Sequence, residues 1–561
     1  MNKLQTLYPA AEHKDFREML SAVVEKYPNN NAFIIKKDKS KKEYTHITYT
    51  QFQKDINCLG TALLHAGLER RRIAIIGKNC YEWMLAYFAV LCGAGLAVPL
   101  DKGLAETEIL SLIERSESDC VIFDKEYYDI FHRLSQQENC SVKKFICMEA
   151  FGDLENLPDY LIEGERLLSE GERAYLEAEL NPEEAGVMLF TSGTTARSKA
   201  VLLSQKNFLA NVYGMCCSQK FYPTDVNMAF LPYHHTFGSV GTIIFLAHGS
   251  TTVFCDGIRY IAQNLVEYGV TVFVCVPLII EGIHKKIMHT VKKQGKEKKL
   301  AMGRKLSRLL LALGIDRRRA IFKDIHAALG GKVRYIISGA SALSPEIWEA
   351  LNDFGITTVQ GYGLTETAPV IAAENIKMQR KGSVGLPLCN VEVKIDDPDS
   401  RGIGEIVAKG PNVMLGYYGD EEATNAVMQG GWFHTGDLGK MDKDGVLYIT
   451  GRKKNVIVLK NGKNVYPEEI ESVINALPFV DESLVYGKAK GDDFIISVNV
   501  VYNKDYFAGK DKDAIEAEVR AGIAEVNRNM AKHQYIKHIE VTDVPMEKTT
   551  TAKIKRYKAI Q

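Results

Sequence analysis

The sequence predicts an α/β fold in two parts: a large N-terminal domain of layered α/β subdomains that includes a small β-rich subdomain, then a small, mobile α+β C-terminal domain. Three observations lead there. Through the first half and beyond, short β-branched runs alternate with helical patterns, as buried parallel strands joined by helices do. After Asn390 the chain turns to glycine and short strands, VEVKIDD, GEIVAKG and GVLYITG, which implies a compact β-rich unit. From Arg452 βα units start afresh, NVIVLKNG, YPEEIESVINAL, ESLVYGKA and FIISVNVVY, ending in a helix from Lys512 to Met530. The boundaries read from this are 1–451, with the β-rich subdomain at about 375–451, and 452–561.

The elements follow in order. RRIAIIGKN near Ile73 is a strand, an apolar helix comes next, then AVPL and DCVIFD around Val121. Residues 83–100 carry no charge over a length near the lower limit for a membrane span. Gly93, Gly95 and Pro99 interrupt this run and Asp101 ends it, so it reads as a buried helix running into a buried strand. TTVFCD (Val253), VTVFVCVPL (Val272) and KVRYIISGAS (Val333) end in loops of small residues, where ligands of such sheets sit. Residues 281–329 form a basic helical stretch with apolar residues at helical spacing. It reads as a solvated amphipathic helix pair or, over 285–323, as a surface for anionic lipid or for phosphates.

Composition excludes several classes. A chain of 561 residues exceeds one ordinary core, and 46% apolar with 25% charged residues excludes disordered and fibrous proteins. Zero formal net charge argues against nucleic acid as a partner. Eleven scattered cysteines with no CxxC pair read as reduced thiols without metal-ligand spacing. The first twenty residues lack a signal-peptide core, so the expectation is a cytoplasmic protein, at most peripheral at a membrane.

The stretch most informative about chemistry is LFTSGTTARSKAVLLS, a buried strand followed by Thr191, Ser192, Gly193, Thr194 and Thr195 and then Lys199. Hydroxyls, flexible amides and one ammonium make a phosphate cradle. GxxxxGK[ST] cannot be drawn through it, which disfavours an ordinary P-loop. Six further segments follow: LPYHHTFG (231–238), SGAS (338–341), QGYGLTET (360–367), WFHTGD (432–437), GRKKNVIVLKNGKNVYPEEIE (451–471) and TTTAKIKR (549–556).

Seven motifs in this order, spanning nearly the whole chain, resemble the adenylate-forming superfamily of acyl-CoA synthetases, luciferases and peptide-synthetase adenylation domains. The resemblance implies an enzyme that joins a carboxylate to the α-phosphate of ATP and then passes the acyl group to a thiol. The obstacle in such a reaction is charge repulsion, so cations and aligned donors are required. By resemblance, Thr191 to Thr195 and Lys199 hold the phosphates, and Gly339, Ala340 and Ser341 face the adenine. Gly361, Tyr362, Gly363, Leu364 and Thr365 line the nucleotide, and Glu366 with Thr191 holds magnesium. Asp437 accepts from the ribose hydroxyls and Arg452 contacts the same ribose. Lys553, with Thr191 and Glu366, carries the first half-reaction, its ammonium neutralising both carboxylate and α-phosphate. Lys454 is the hinge about which the C-terminal domain turns, bringing Lys460 and Gly462 to the thiol tunnel. His235, Phe237, Gly238, Val276 and Pro277 line the acyl pocket.

Histidines stand where amino-acid-activating relatives place an aspartate, which disfavours an α-amino acid. The basic insertion and the TTTAKIKR ending resemble long-chain fatty acyl-CoA synthetases, implying a medium- to long-chain acid with ATP, Mg2+ and CoA as co-substrates. An apolar tunnel would gain roughly 0.8 kcal/mol per buried CH₂. One departure is that Ala196, Ser198 and Ala200 replace the glycine, proline and glycine usual in the phosphate loop. Two alternatives stand beside this reading: a ligase that loads an acyl carrier protein, and a non-catalytic nucleotide- or acyl-binding protein.

Overall fold

The computed structural model describes residues 3–37, 43–191, 198–460, 463–491, 493–548 and 554–556. Ser192, Gly193, Thr194, Thr195, Ala196, Gly462 and Lys553 lie outside the described residues.

Two large sheets form the N-terminal part. The eight-stranded one runs, edge to edge, Gly416–Tyr417, Lys199–Ser204, Ala185–Thr191, Gly95–Leu100, Arg71–Ile76, Cys120–Phe123, Lys144–Cys147 and Glu155–Asn156. Its body is parallel, and the hairpin of Ala185–Thr191 with Lys199–Ser204 is antiparallel. The nine-stranded sheet runs Leu386–Pro387, Val370–Ala373, Thr357–Gly363, Tyr335–Ser338, Val272–Cys275, Val226–Ala229, Thr251–Phe254, Asn31–Lys36 and Tyr44–Thr48, again parallel in its body. Side chains alternate across each strand, so both sheets have two apolar faces to cover. Ile73 and Ile75 enter the core between the sheets while Ala74 and Ile76 face an outer helical layer. Val272 and Val274 likewise face inward, and Phe273 and Cys275 outward.

Between the sheets lie the helices Tyr81–Ala89 and Thr236–Leu246, whose side chains are almost all buried. The uncharged run 83–100 folds as expected: that first helix, a π turn at Val90–Ala94, and the strand Gly95–Leu100. Among the described residues no helix is long and apolar enough to cross a membrane.

A separate antiparallel sheet is built from Glu392–Asp396, Gly404–Lys409, Trp432–Met441, Met428–Gln429 and Leu447–Arg452. The C-terminal part has its own core under the strands Val480–Lys490, Asp493–Tyr502 and Ile536–Thr542 and the helices Pro467–Ile474 and Lys512–Arg528. The basic segment folds as helices Pro277–Lys293 and Glu297–Ala312 followed by two short ones, Arg318–Ile321 and Lys323–Ala328.

Candidate functional site

The hairpin that carries the phosphate loop closes with Thr191 directly opposite Lys199. The Thr191 hydroxyl donates to the Lys199 carbonyl at 3.4 Å. Arg115, which nothing in the sequence singled out, donates to the Ser198 carbonyl at 2.6 Å and to its hydroxyl at 3.1 Å. Ser198 is thereby held just before the strand Lys199–Ser204.

Beyond this hairpin the edge strand Gly416–Tyr417 pairs with Lys199–Ser204 and places the Tyr417 ring 4.5 Å under the Lys199 ammonium. The Tyr417 hydroxyl donates to Glu366 Oε1 at 3.0 Å. Burial, then the Glu366 charge, pushes the Tyr417 phenol up, so it stays a donor. Glu366 sits in the turn Thr365–Thr367, held through its carbonyl by the Met414 amide at 2.8 Å. One aromatic ring therefore links the phosphate-loop lysine to the proposed magnesium ligand. Glu366, a half-buried carboxylate beside a hydroxyl-bearing hairpin, suits a hard, oxygen-seeking cation.

Opposite stands Asp437, 5% exposed. Strand pairing sets Arg452 beside it, with Nε 2.8 Å from Oδ1, and Tyr362 donates to Oδ2 at 2.8 Å. Burial, and then Asp437, raises the Tyr362 phenol well above its usual value. The preceding turn is fixed because Glu405 Oε1 accepts from the Gly436 amide at 3.0 Å, while Lys453 holds Glu405 Oε2 at 2.8 Å. A cavity of about 470 Å³ is lined by Leu364, Glu366, Tyr417, Gly436, Arg452 and Lys453 among others.

Gly363 has a packing reason to be glycine: a Cβ there would stand 1.7 Å from the Pro369 carbonyl oxygen. Gly361 has no such crowding. Gly339 rests on the Phe237 ring, where a Cβ would come within 2.8 Å, so SGAS touches the segment that bears Phe237. Ala340 takes φ +71°, a conformation costing roughly 1–2 kcal/mol for a residue with a Cβ. Ser341 and Lys460 are exposed. Val276 and Pro277 connect the strand Val272–Cys275 to the helix Pro277–Lys293, and His235 caps the helix that carries Phe237 and Gly238.

Lys454 lies in the turn Lys453–Asn455 directly after Arg452. Partial burial of its ammonium, then the Arg452 charge, lowers it to about 8 although its stem is exposed. Arg556, three positions after Lys553 in sequence, donates from Nη2 to both carboxylate oxygens of Glu471, at 2.5 and 2.6 Å.

Residues 20–418 match the family described as AMP-binding enzyme, and residues 454–561 match the AMP-binding enzyme C-terminal domain. The chain belongs to this family. It is 30% identical over 500 residues to the peroxisomal long chain acyl-CoA synthetase 7 of Arabidopsis thaliana, covering 83% of this chain and 71% of that one. To the long-chain-fatty-acid–CoA ligase FadD15 of Mycobacterium tuberculosis it is 26% identical over 555 residues, 91% of this chain and 90% of the relative. Among solved structures, ATP-bound MatB from Rhodopseudomonas palustris superposes with a TM-score of 0.75 at 24% identity, covering 96% and 97% of the two chains. The anthranilate CoA ligase AuaEII in complex with anthranoyl-AMP gives 0.77 at 20% identity, covering 99% and 98%. These two likenesses establish the shared fold of this AMP-binding enzyme.

Proposed function

We propose that this AMP-binding enzyme activates a medium- to long-chain fatty acid with ATP, giving acyl-AMP and pyrophosphate, and transfers the acyl group to coenzyme A with release of AMP. The observation that carries the nucleotide half is one cavity with two prepared walls. Arg452, paired with Asp437, lines one, and Glu366, held by Tyr417 beside Lys199, lines the other. The names of the relatives, which act on long-chain acids, support the substrate class.

A carboxylate oxygen attacks the α-phosphorus, the acyl–phosphate bond forms, and pyrophosphate leaves. Lys199 and the hydroxyl loop 191–195 hold the phosphates, Asp437 and Arg452 hold the ribose, and Gly339 to Ser341 face the adenine. Magnesium, when bound by Glu366 with Thr191, neutralises phosphate charge. Lys553 bridges the incoming carboxylate and the α-phosphate. The lid, residues 452–561, then turns at Lys454, and the loop with Lys460 and Gly462 admits the thiol. The thiolate attacks the acyl carbon and the bond to AMP breaks.

The experiment is pyrophosphate release across acids of graded chain length, with CoA, with a carrier protein and with neither. CoA-dependent turnover peaking at medium or long chains is expected. Turnover with carrier protein alone would reassign the acceptor, and no release with any acid would end the ligase reading.

A second part of this reading concerns a lipid surface. The helix Glu297–Ala312 turns Leu300, Gly303, Arg304, Ser307 and Leu310 toward the protein. On the opposite face Met302, Leu306, Leu309 and Leu313 are 68%, 48%, 60% and 67% exposed. Lys298, Lys299 and Lys305 flank that stripe. An apolar stripe opposite the packing face lies beyond the reach of the chain's own core, and its basic borders fit an anionic bilayer. The enzyme therefore docks peripherally through this helix. Salt-sensitive co-sedimentation with phosphatidylglycerol vesicles, and none with pure phosphatidylcholine, is expected; equal binding to both would refute the charge argument.

A further inference from the structure

One cluster of metal-ligating side chains lies away from the nucleotide cavity. Asp101 follows the strand Gly95–Leu100 of the eight-stranded sheet. His234 and His235 lie between the strand Val226–Ala229 of the nine-stranded sheet and the helix Thr236–Leu246. Both positions are at the carboxyl ends of parallel strands, where α/β sheets bind ligands. One ligand atom from each of the three residues falls within 4.8 Å of the others.

Two details distinguish this group from an ordinary ion pair. His234 is 7% exposed, and its Nε2 satisfies the geometry of no hydrogen bond among the described residues. Yet Asp101 Oδ1 stands 3.3 Å away. A direct charge-assisted bond between these groups would be about 2.7–2.9 Å long. Two ligands each about 2.0–2.1 Å from a shared tetrahedral ion would stand about 3.4 Å apart. The observed separation matches the second arrangement.

The surroundings hold the ligands in place. Asn79 Nδ2 donates to the Leu231 carbonyl at 2.7 Å, and its Oδ1 accepts from the Tyr233 amide at 3.2 Å, tying the turn that bears the histidines to the first sheet. The Tyr233 ring packs on Trp83 at 5.1 Å. Asp101 Oδ1 also accepts from the Gly103 amide at 2.8 Å, which fixes the carboxylate. The imidazoles of His234 and His235 have centroids 4.3 Å apart. A braced turn and a fixed carboxylate hold the three ligands near one another, as a metal site requires.

We propose that Asp101, His234 and His235 bind one divalent transition-metal ion of the zinc class. Two imidazoles and one carboxylate favour zinc, cobalt or nickel over magnesium, whose preference is for oxygen ligands alone. Three protein ligands leave a fourth position for water or a carboxylate. The ion would join the two large sheets at one point. Its effect on catalysis rests on the reading of His235 as a residue at the acyl-pocket mouth: an ion there engages His235 and makes acid activation sensitive to zinc.

The test is titration of the metal-free full-length chain with Co2+, read by visible absorption. The expected result is one equivalent bound with the intense bands of a tetrahedral nitrogen–oxygen site, and without the near-ultraviolet thiolate band that any of the eleven cysteines would give. Asp101→Asn and His234→Asn, each checked for an unchanged thermal unfolding profile without metal, weaken binding at least about 100-fold. No stoichiometric binding by the unaltered chain, or a thiolate band, overturns the proposal without recourse to any variant. Binding that survives both substitutions also overturns it. One-equivalent binding with acid activation unchanged by zinc leaves the metal site standing and removes the pocket-mouth reading of His235.

Discussion

The corner around Asp437 and the helix Glu297–Ala312 solve opposite problems. In the corner, Tyr362 and Arg452 close on the carboxylate, and the Glu405–Lys453 pair braces the turn before it. On the helix, four apolar side chains stand in water opposite the face that packs. The 39 residues 285–323 hold fourteen lysines and arginines against two acids, in a chain of zero net charge. Arg304 and Arg308 spend their charge on Asp353, and the lysines that border the stripe keep theirs toward solvent. The first region is shaped by internal demand; the second would be completed by the proposed lipid surface.

That contrast can be broken. The largest effect is expected from Asp437→Ala, which strips the acceptor from both Tyr362 and Arg452. Losing the proposed ribose acceptor lowers kcat/KM for ATP roughly 100-fold, about 2.7 kcal/mol, in acid-dependent pyrophosphate release. A loss under ten-fold would show that the corner does not hold ATP. Leu306→Asp combined with Leu309→Asp reverses the logic. Vesicle affinity drops roughly 30-fold, about 2 kcal/mol, while the unfolding temperature and turnover of a water-soluble acid stay unchanged. Tyr417→Phe removes one bond to a carboxylate but keeps the ring beneath Lys199. About 1.5 kcal/mol, or roughly ten-fold, is expected in the magnesium dependence of turnover.

The smallest effect on activity, and a clear one on stability, involves Glu374. It accepts from the Gln360 and Arg380 amides, the Trp348 indole and the Ser383 hydroxyl. Burial outweighs those four donors and pushes its carboxyl up to about 7. The fold then holds a proton that the unfolded chain releases near 4.5, so stability falls as pH rises from about 4.5 to about 7. Glu374→Gln removes that slope, which thermal unfolding at graded pH will read. A slope that persists would assign it to other groups.

Much of this was legible from sequence, for a local reason. The phosphate hairpin, QGYGLTET and WFHTGD are short segments whose chemistry sits in consecutive residues, and the uncharged run at 83–100 was placed correctly by its glycines and proline. Tyr417 was not legible: its role depends on pairing between Gly416–Tyr417 and a strand more than two hundred positions earlier. Arg115 reaches Ser198 across 83 positions, and Asn79 reaches Leu231 across 152. Long contacts of this kind leave no periodic trace. The basic helix shows a third case, in which helical spacing revealed an apolar stripe but could not say which side would meet the protein.

Arg452 is paired across the sheet with Asp437, and the proposed pivot begins two residues later. On the proposed roles, the lid would pivot beside the strand pair that holds the ribose. A lid turning at Lys454 in that arrangement would exchange one chemical step for the next with AMP still held.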